Sequence, residues 1–89
     1  MVAYKVTYSK QALKDAKKLS AASLDKKAKG LIELIKNNPF QKPPPYEKLV
    51  GNLSGSFSRR INIKHRIVYE VIENEKLVRI LRMWTHYGE

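Results

Sequence analysis

The period of the apolar residues changes twice along the chain, and those changes limit most strongly the folds open to it. Val2, Tyr4, Val6 and Tyr8 alternate with Ala3, Lys5 and Thr7, the period-two pattern of a strand built from β-favouring residues. After Ser9, a good N-cap, Ala12, Leu13, Ala16 and Leu19 fall on one helical stripe, with Lys10, Lys14, Lys17 and Lys18 on the other. A second stripe of Leu24, Ala28, Leu31, Ile32 and Ile35 predicts a helix starting around Ser20 to Ser23 and stopping before Asn37-Asn38-Pro39. So short a link between helices predicts an antiparallel hairpin. Asn37 to Asn52 holds all four prolines, Pro43-Pro44-Pro45 among them, without usable periodicity, and predicts a stiff, extended connector. Period two returns with Phe57, Arg59, Ile61 and Ile63, then Arg66 to Ile72, then Leu77 to Trp84, with Glu73-Asn74-Glu75-Lys76 as a polar hairpin turn.

The predicted class is therefore α+β: an N-terminal strand, an α-helical hairpin, then a three-stranded antiparallel β-meander, with helices on one face of a mainly antiparallel sheet. The 89 residues fit a single domain over 1–89. Its core is thin, which makes stabilisation by a partner or by homodimerisation an expectation.

Charge points to the kind of partner. Eighteen Lys and Arg against eight Asp and Glu give a formal net charge of +10, a field that favours polyanions. Residues 1–40 hold nine Lys and no Arg, whereas residues 41–89 hold four Lys and all five Arg: Arg59, Arg60, Arg66, Arg79 and Arg82. The planar guanidinium suits close, bidentate phosphate contact, so phosphate chemistry is expected in the second half. No signal-like or membrane-length apolar run is present, and a soluble, cytoplasmic protein is expected.

Several chemistries are excluded. Without Cys there is no thiol nucleophile, disulfide or thiolate ligand, and two His without spaced carboxylates predict no metal site. Neither a G-x-S-x-G elbow nor a phosphate-binding P-loop occurs. A carboxylate, several Arg and a His remain, a set able to cleave RNA through its own 2′-hydroxyl without a cofactor. Such a reaction needs a base for the 2′ proton, cations for the phosphorane and an acid for the departing 5′ oxygen. His86 suits the acid role and Glu47, with Lys48 beside it, the base role. Each residue also has a plainer reading: His86 as a tail residue, Glu47 as solvated, Arg59-Arg60 as protection of a strand edge, Trp84 as core.

Asn52-Leu53-Ser54-Gly55-x-x-Ser58-Arg59-Arg60-Ile61, followed by His65-Arg66-Ile67-Val68-Tyr69 and the ending His86-Tyr87, resembles the YoeB (Txe) branch of the RelE-type toxins. The likeness extends to the first strand, the second helix and Asn38-Pro39-Phe40. It implies a RelE-like fold and a bacterial toxin that cleaves mRNA on the ribosome and is neutralised by a YefM-like antitoxin. It implies a catalytic set of Glu47 as base, Arg66 on the phosphate, His86 as acid and Tyr87 beside it. Arg59 and Arg60 match its S-R-R motif and, with Lys48 and His65, form the expected RNA- and phosphate-binding set. Val50 stands where the family often carries a lysine, and Gly88-Glu89 follow the tyrosine. Two alternatives stay open: a non-catalytic gyrase poison of the ParE branch, and a basic RNA- or ribosome-binding module without chemistry.

Overall fold

The computed structural model describes residues 3–42, 46–49, 55–62 and 64–86, and the side chains of all of these except 85 and 86. Val2, Ile63 and the triple proline of the expected connector lie outside the described residues. Strand β1 (Lys5–Tyr8) leads directly into α1 (Lys10–Ala21). Ser9 is the cap between them: its Oγ accepts from the Ala12 amide at 3.0 Å and donates to the Leu81 carbonyl at 2.7 Å, tying the helix start to the last strand. Helix α1 ends where Ser23 adopts a left-handed conformation (φ 61°) and the Leu24 amide reaches back to the Leu19 carbonyl at 2.8 Å, a Schellman-type closure. Helix α2 (Asp25–Asn37) therefore starts later than its apolar stripe predicts, because Ser20 and Ala21 still belong to α1. Beyond α2, Asn38 Oδ1 accepts from the Phe40 amide at 3.1 Å, a local bond that competes with continuing the helix, and Pro39 lies between them.

Four further strands, β2 (Glu47–Lys48), β3 (Ser56–Arg60), β4 (His65–Ile72) and β5 (Leu77–His86), complete a five-stranded sheet ordered β1-β5-β4-β3-β2. β1 runs parallel to β5 and the other pairs are antiparallel. The expected meander is present as β3 to β5. The short β2, inside what the sequence presents as connector, is new, since two residues cannot display a period. The β4–β5 turn is a 3₁₀ turn, Glu73–Glu75, closing on Lys76 at φ 50°. Tyr4 donates to Glu73 at 2.5 Å and Lys76 pairs with the other carboxylate oxygen at 3.2 Å. The Tyr4 bond, helped by Lys76, holds the Glu73 carboxyl below its ordinary range. No helix among the described residues is long and apolar enough to cross a membrane.

Ala12, Leu19, Ala28 and Ile35 from the helices pack against Ile61, Ile67, Tyr69, Val78, Ile80 and Met83. One residue of the expected α1 stripe departs from it: Leu13 is 56% exposed, while Asp15, which the sequence leaves unremarked, is only 3% exposed. The reason lies in β5. Between Val68↔Arg82 and Tyr69↔Ile80 the register skips Leu81, and between Arg66↔Thr85 and Val68↔Arg82 three steps of β5 oppose two of β4. Such bulges take backbone amides out of the ladder, and buried amides need acceptors. Asp15 Oδ2 accepts from the Met83 amide at 3.0 Å and the Trp84 amide at 3.3 Å, while Oδ1 accepts from Gln11 at 2.8 Å. Removing that acceptor strands one buried and one part-buried amide, so Asp15→Leu is expected to cost about 2–4 kcal/mol. Asp15→Asn, which keeps one oxygen, should cost less. Urea denaturation measures both, and an unchanged midpoint for Asp15→Leu would remove Asp15 from this role.

Candidate active site

Alternation along β3 and β4 sends neighbouring residues to opposite faces. Phe57, Ile67 and Tyr69 pack with the helix-side core. Ser58, Arg60, Arg66 and Val68 therefore share the face away from the helices. Pairing places Glu47 opposite Ser58, Arg60 opposite Arg66 and Arg82 opposite Val68, and directly paired residues project from the same face. On that open face Arg66 Nη1 donates to Ser58 Oγ at 3.1 Å and stands 4.0 Å from Glu47 Oε2. The two partners differ in environment, the Arg66 side chain being 15% exposed and that of Glu47 58%. A half-buried cation anchored by a buried serine thus faces a carboxylate free to exchange partners. Arg60 stands directly across from Arg66 in the strand pairing, so two guanidinium-bearing residues leave neighbouring strands on one face.

The last strand closes the other side of this group. The backbone of His86 pairs with His65, and that of Thr85 with Arg66. Counting strands, Glu47 on β2 and His86 on β5 are separated by three spacings, about 14 Å laterally, with Arg66 between them. Tyr87 lies outside the described residues. His65 is part of the local framework: its ring stacks on Trp84 with centroids 4.2 Å apart, and its Nδ1 lies 3.3 Å from Asn62 Oδ1, which also accepts from the Lys64 and His65 amides. Trp84 packs against the core, as its plainer reading holds.

Two expected phosphate ligands are placed elsewhere. Arg59 is 1% exposed and points into the helix side, where it donates to the Pro39 carbonyl at 3.0 Å and to the Tyr69 hydroxyl at 3.1 Å, with its guanidinium 5.1 Å from the Tyr46 ring. Tyr69 in turn donates to the same Pro39 carbonyl at 2.8 Å. Burial raises the Tyr69 hydroxyl pKa, and the Arg59 charge pulls against that shift. Arg59 thus serves the interior; of the S-R-R pair it is Arg60 that reaches solvent. Lys48 pairs with Phe57 and so leaves the sheet on the side opposite Glu47. Conversely, Ser58 and Arg82 belong to the open face although the sequence did not single them out as site residues; strand alternation from Arg66 could have found both.

Compared with known proteins, this arrangement is that of a bacterial toxin fold. It superposes on the YoeB/ParE toxin from Agrobacterium tumefaciens with a TM-score of 0.83 and 28% identity, covering 93% of this chain and 99% of that one. A chain of the YoeB–YefM complex from Staphylococcus aureus gives 0.78 at 34% identity, covering 94% and 98%. Toxin YoeB of Escherichia coli K12 is 40% identical over 62 residues, 70% of this chain and 71% of that protein. Toxin YoeB of Synechocystis is 44% identical over 48 residues, so the match spans 54% of this chain and little more than half (56%) of that protein. The pattern of YoeB-like toxins of bacterial type II toxin–antitoxin systems matches residues 8–87, and the chain belongs to that family.

The opposed placements of the adjacent arginines set up a contrast in stability. Arg59→Leu leaves the fork of bonds to Pro39 and Tyr69 empty and is expected to cost about 2–4 kcal/mol. Arg60→Leu, on an exposed site, should cost under about 0.5 kcal/mol. Thermal melts followed by circular dichroism compare them, and equal melting temperatures would reverse the assignment of faces. The Tyr69 shift carries a pH signature. Its folded pKa lies above the unfolded value, so its contribution is complete below pH 10.0 and is lost as pH rises through the folded pKa.

Proposed function

We propose that this toxin is a ribosome-dependent endoribonuclease that blocks translation by cutting mRNA in the cytoplasm through the RNA's own 2′-hydroxyl, with no metal or other cofactor. The observation that carries the reading is the Glu47–Arg66 pair on the open face, 4.0 Å apart, with Arg66 fixed by Ser58. Glu47 takes the 2′ proton. The 2′ oxygen then attacks phosphorus and the bond to the 5′ oxygen breaks, leaving a 2′,3′-cyclic phosphate, while His86 gives a proton to the leaving oxygen. Arg66 and Arg60 neutralise the charge that builds on the non-bridging oxygens. In-line displacement requires base and acid on opposite sides of the phosphorus. Glu47 and His86 stand on β2 and β5, strands that lie on either side of the Arg66 strand in the sheet order. Tyr87 follows His86 in sequence and completes the set as its neighbour. So small and open a site supplies little positioning of its own, and the ribosome would hold the mRNA in a reactive conformation.

Programmed ribosomes incubated with the protein, with mRNA ends mapped, test this directly. Glu47→Ala, Arg66→Ala and His86→Ala should each slow cleavage by about a hundredfold or more, whereas Lys48→Ala should stay within about threefold. Wild-type cutting by both Glu47→Ala and His86→Ala sinks the chemistry, and inhibition of supercoiling in a gyrase assay would move the protein to the non-catalytic branch.

The solved YoeB–YefM complex and YoeB dimer from Staphylococcus aureus support a YefM-like antitoxin and homodimerisation as the assemblies of this chain. With a net charge of +10, the toxin suits an acidic segment that folds as it binds. Antitoxin at a hundred times its Kd adds about 2.7 kcal/mol. That corresponds to a rise of roughly 10 °C or more in melting temperature for a domain of this size. Differential scanning fluorimetry measures it, and an unshifted melt argues against antitoxin binding.

A further inference from the structure

The proposed base sits on the least secure element of the sheet. β2 has only two residues and lies at the edge of the sheet, paired on one side to β3, with one further ladder-like bond from the Leu49 amide to the Ser56 carbonyl at 2.9 Å. So short a pairing is marginal by itself. Catalysis by Glu47 nevertheless requires its carboxylate to be held to within a fraction of an ångström of the attacking hydroxyl.

The residue before it makes the missing connection. The Tyr46 ring packs edge-on against Phe57, with centroids 5.6 Å apart at 81°, and lies 6.1 Å from Phe40. Its centroid is 5.1 Å from the Arg59 guanidinium carbon and 5.0 Å from the Lys42 ammonium. All of these contacts are made by the ring. Arg59, buried and locked by the Pro39 carbonyl and the Tyr69 hydroxyl, is a fixed point of the core. Aromatic packing and a cation over the ring face both favour one ring position over others. Adjacent residues of an extended chain project to opposite sides, so a ring fastened on the helix side sets the height and tilt of the Glu47 side chain on the other.

We infer that Tyr46, seated on Arg59 and Phe57, is a positioning residue for Glu47, transmitting the rigidity of the core to a two-residue edge strand. This rests on Glu47 acting as the base. Tyr46 touches none of the reacting atoms, and its ring matters rather than its hydroxyl.

The test compares Tyr46→Phe, Tyr46→Leu and Tyr46→Met in the full-length toxin on programmed ribosomes, with melting temperatures recorded in parallel. Two aliphatic variants are used so that poor folding of one leaves the other informative. Tyr46→Phe should cleave within about threefold of wild type, while the aliphatic variants should lose about ten- to a hundredfold in kcat with KM unchanged. In a Glu47→Ala background, Tyr46→Leu should slow the residual cleavage no further. A general loss of structure would lower that residue of activity too. Wild-type kcat for folded Tyr46→Leu or Tyr46→Met, with Glu47→Ala inactive, overturns the positioning role alone. So does an effect confined to KM, a further drop in the Glu47→Ala background, or a Tyr46→Phe as slow as Tyr46→Leu. Wild-type cleavage by Glu47→Ala instead overturns the function beneath it.

Discussion

The Asp15 carboxylate, buried between α1 and β5, is the interaction on which the rest of the architecture depends. It bonds the amides of Met83 and Trp84 where β5 slips register against β4. Burying a carboxylate is costly unless its lone pairs are used, and here three donors use them, Gln11 being the third. In return α1 is locked to β5 beyond what its small apolar residues provide. The bulges themselves have a geometric effect. They bend a strand and shift its pairing beyond them, and here the backbones of Thr85 and His86 are set opposite Arg66 and His65. Helix packing and the placement of the proposed acid thus share one cause.

From that frame the sheet divides into two faces with different work. The clearest instance is the pair Arg59 and Arg60. In sequence they are equivalent. In the fold, one step of strand alternation sends the first into a nest of Pro39, Tyr69 and Tyr46 and the second out beside Arg66. The inner guanidinium fastens the start of the connector to β3, a use suited to a planar fork that satisfies several acceptors at once. The outer one adds positive potential beside the anchored Arg66. The buried and the exposed arginine are neighbours because a strand offers both faces within about 3.4 Å of chain.

Much of this was legible in the sequence, and the failures have physical causes. The change of period fixed the strand, the two helices and the three-stranded meander, and Ser9 marked the cap, because those signals repeat over many residues. β2 was invisible because two residues have no period. Asp15 was invisible because one polar residue in a lysine-rich helix looks solvated, and its partners are amides 68 and 69 positions away, freed by bulges that no local pattern announces. Lys48 was grouped with Glu47 because they are adjacent, although adjacency in a strand means opposite faces. The significance of Glu47 and His86 rested on family resemblance, since each alone is an ordinary solvated or terminal residue. What the fold adds is the Arg66–Ser58 anchor between their strands.

The two halves of the charge distribution also take on distinct meanings. On the helices, Lys10, Lys14, Lys17 and Lys18 remain exposed on flexible stems, giving a field that acts at a distance and is screened by salt over about 8–10 Å. On the open face Arg66 is held by its side-chain partners, with Arg60 and Arg82 on the same face, and charge there acts at contact range. A polyanion as large as the ribosome would meet the first field before the second, so lysines that touch no substrate still bear on how often the site is occupied. A site with exposed carboxylate, anchored guanidinium and few walls gains most from being delivered to a substrate already held in shape. Diffuse steering charge and a small open face are thus complementary: the chain concentrates its order around Arg66, and on the proposed reading substrate geometry falls to the ribosome.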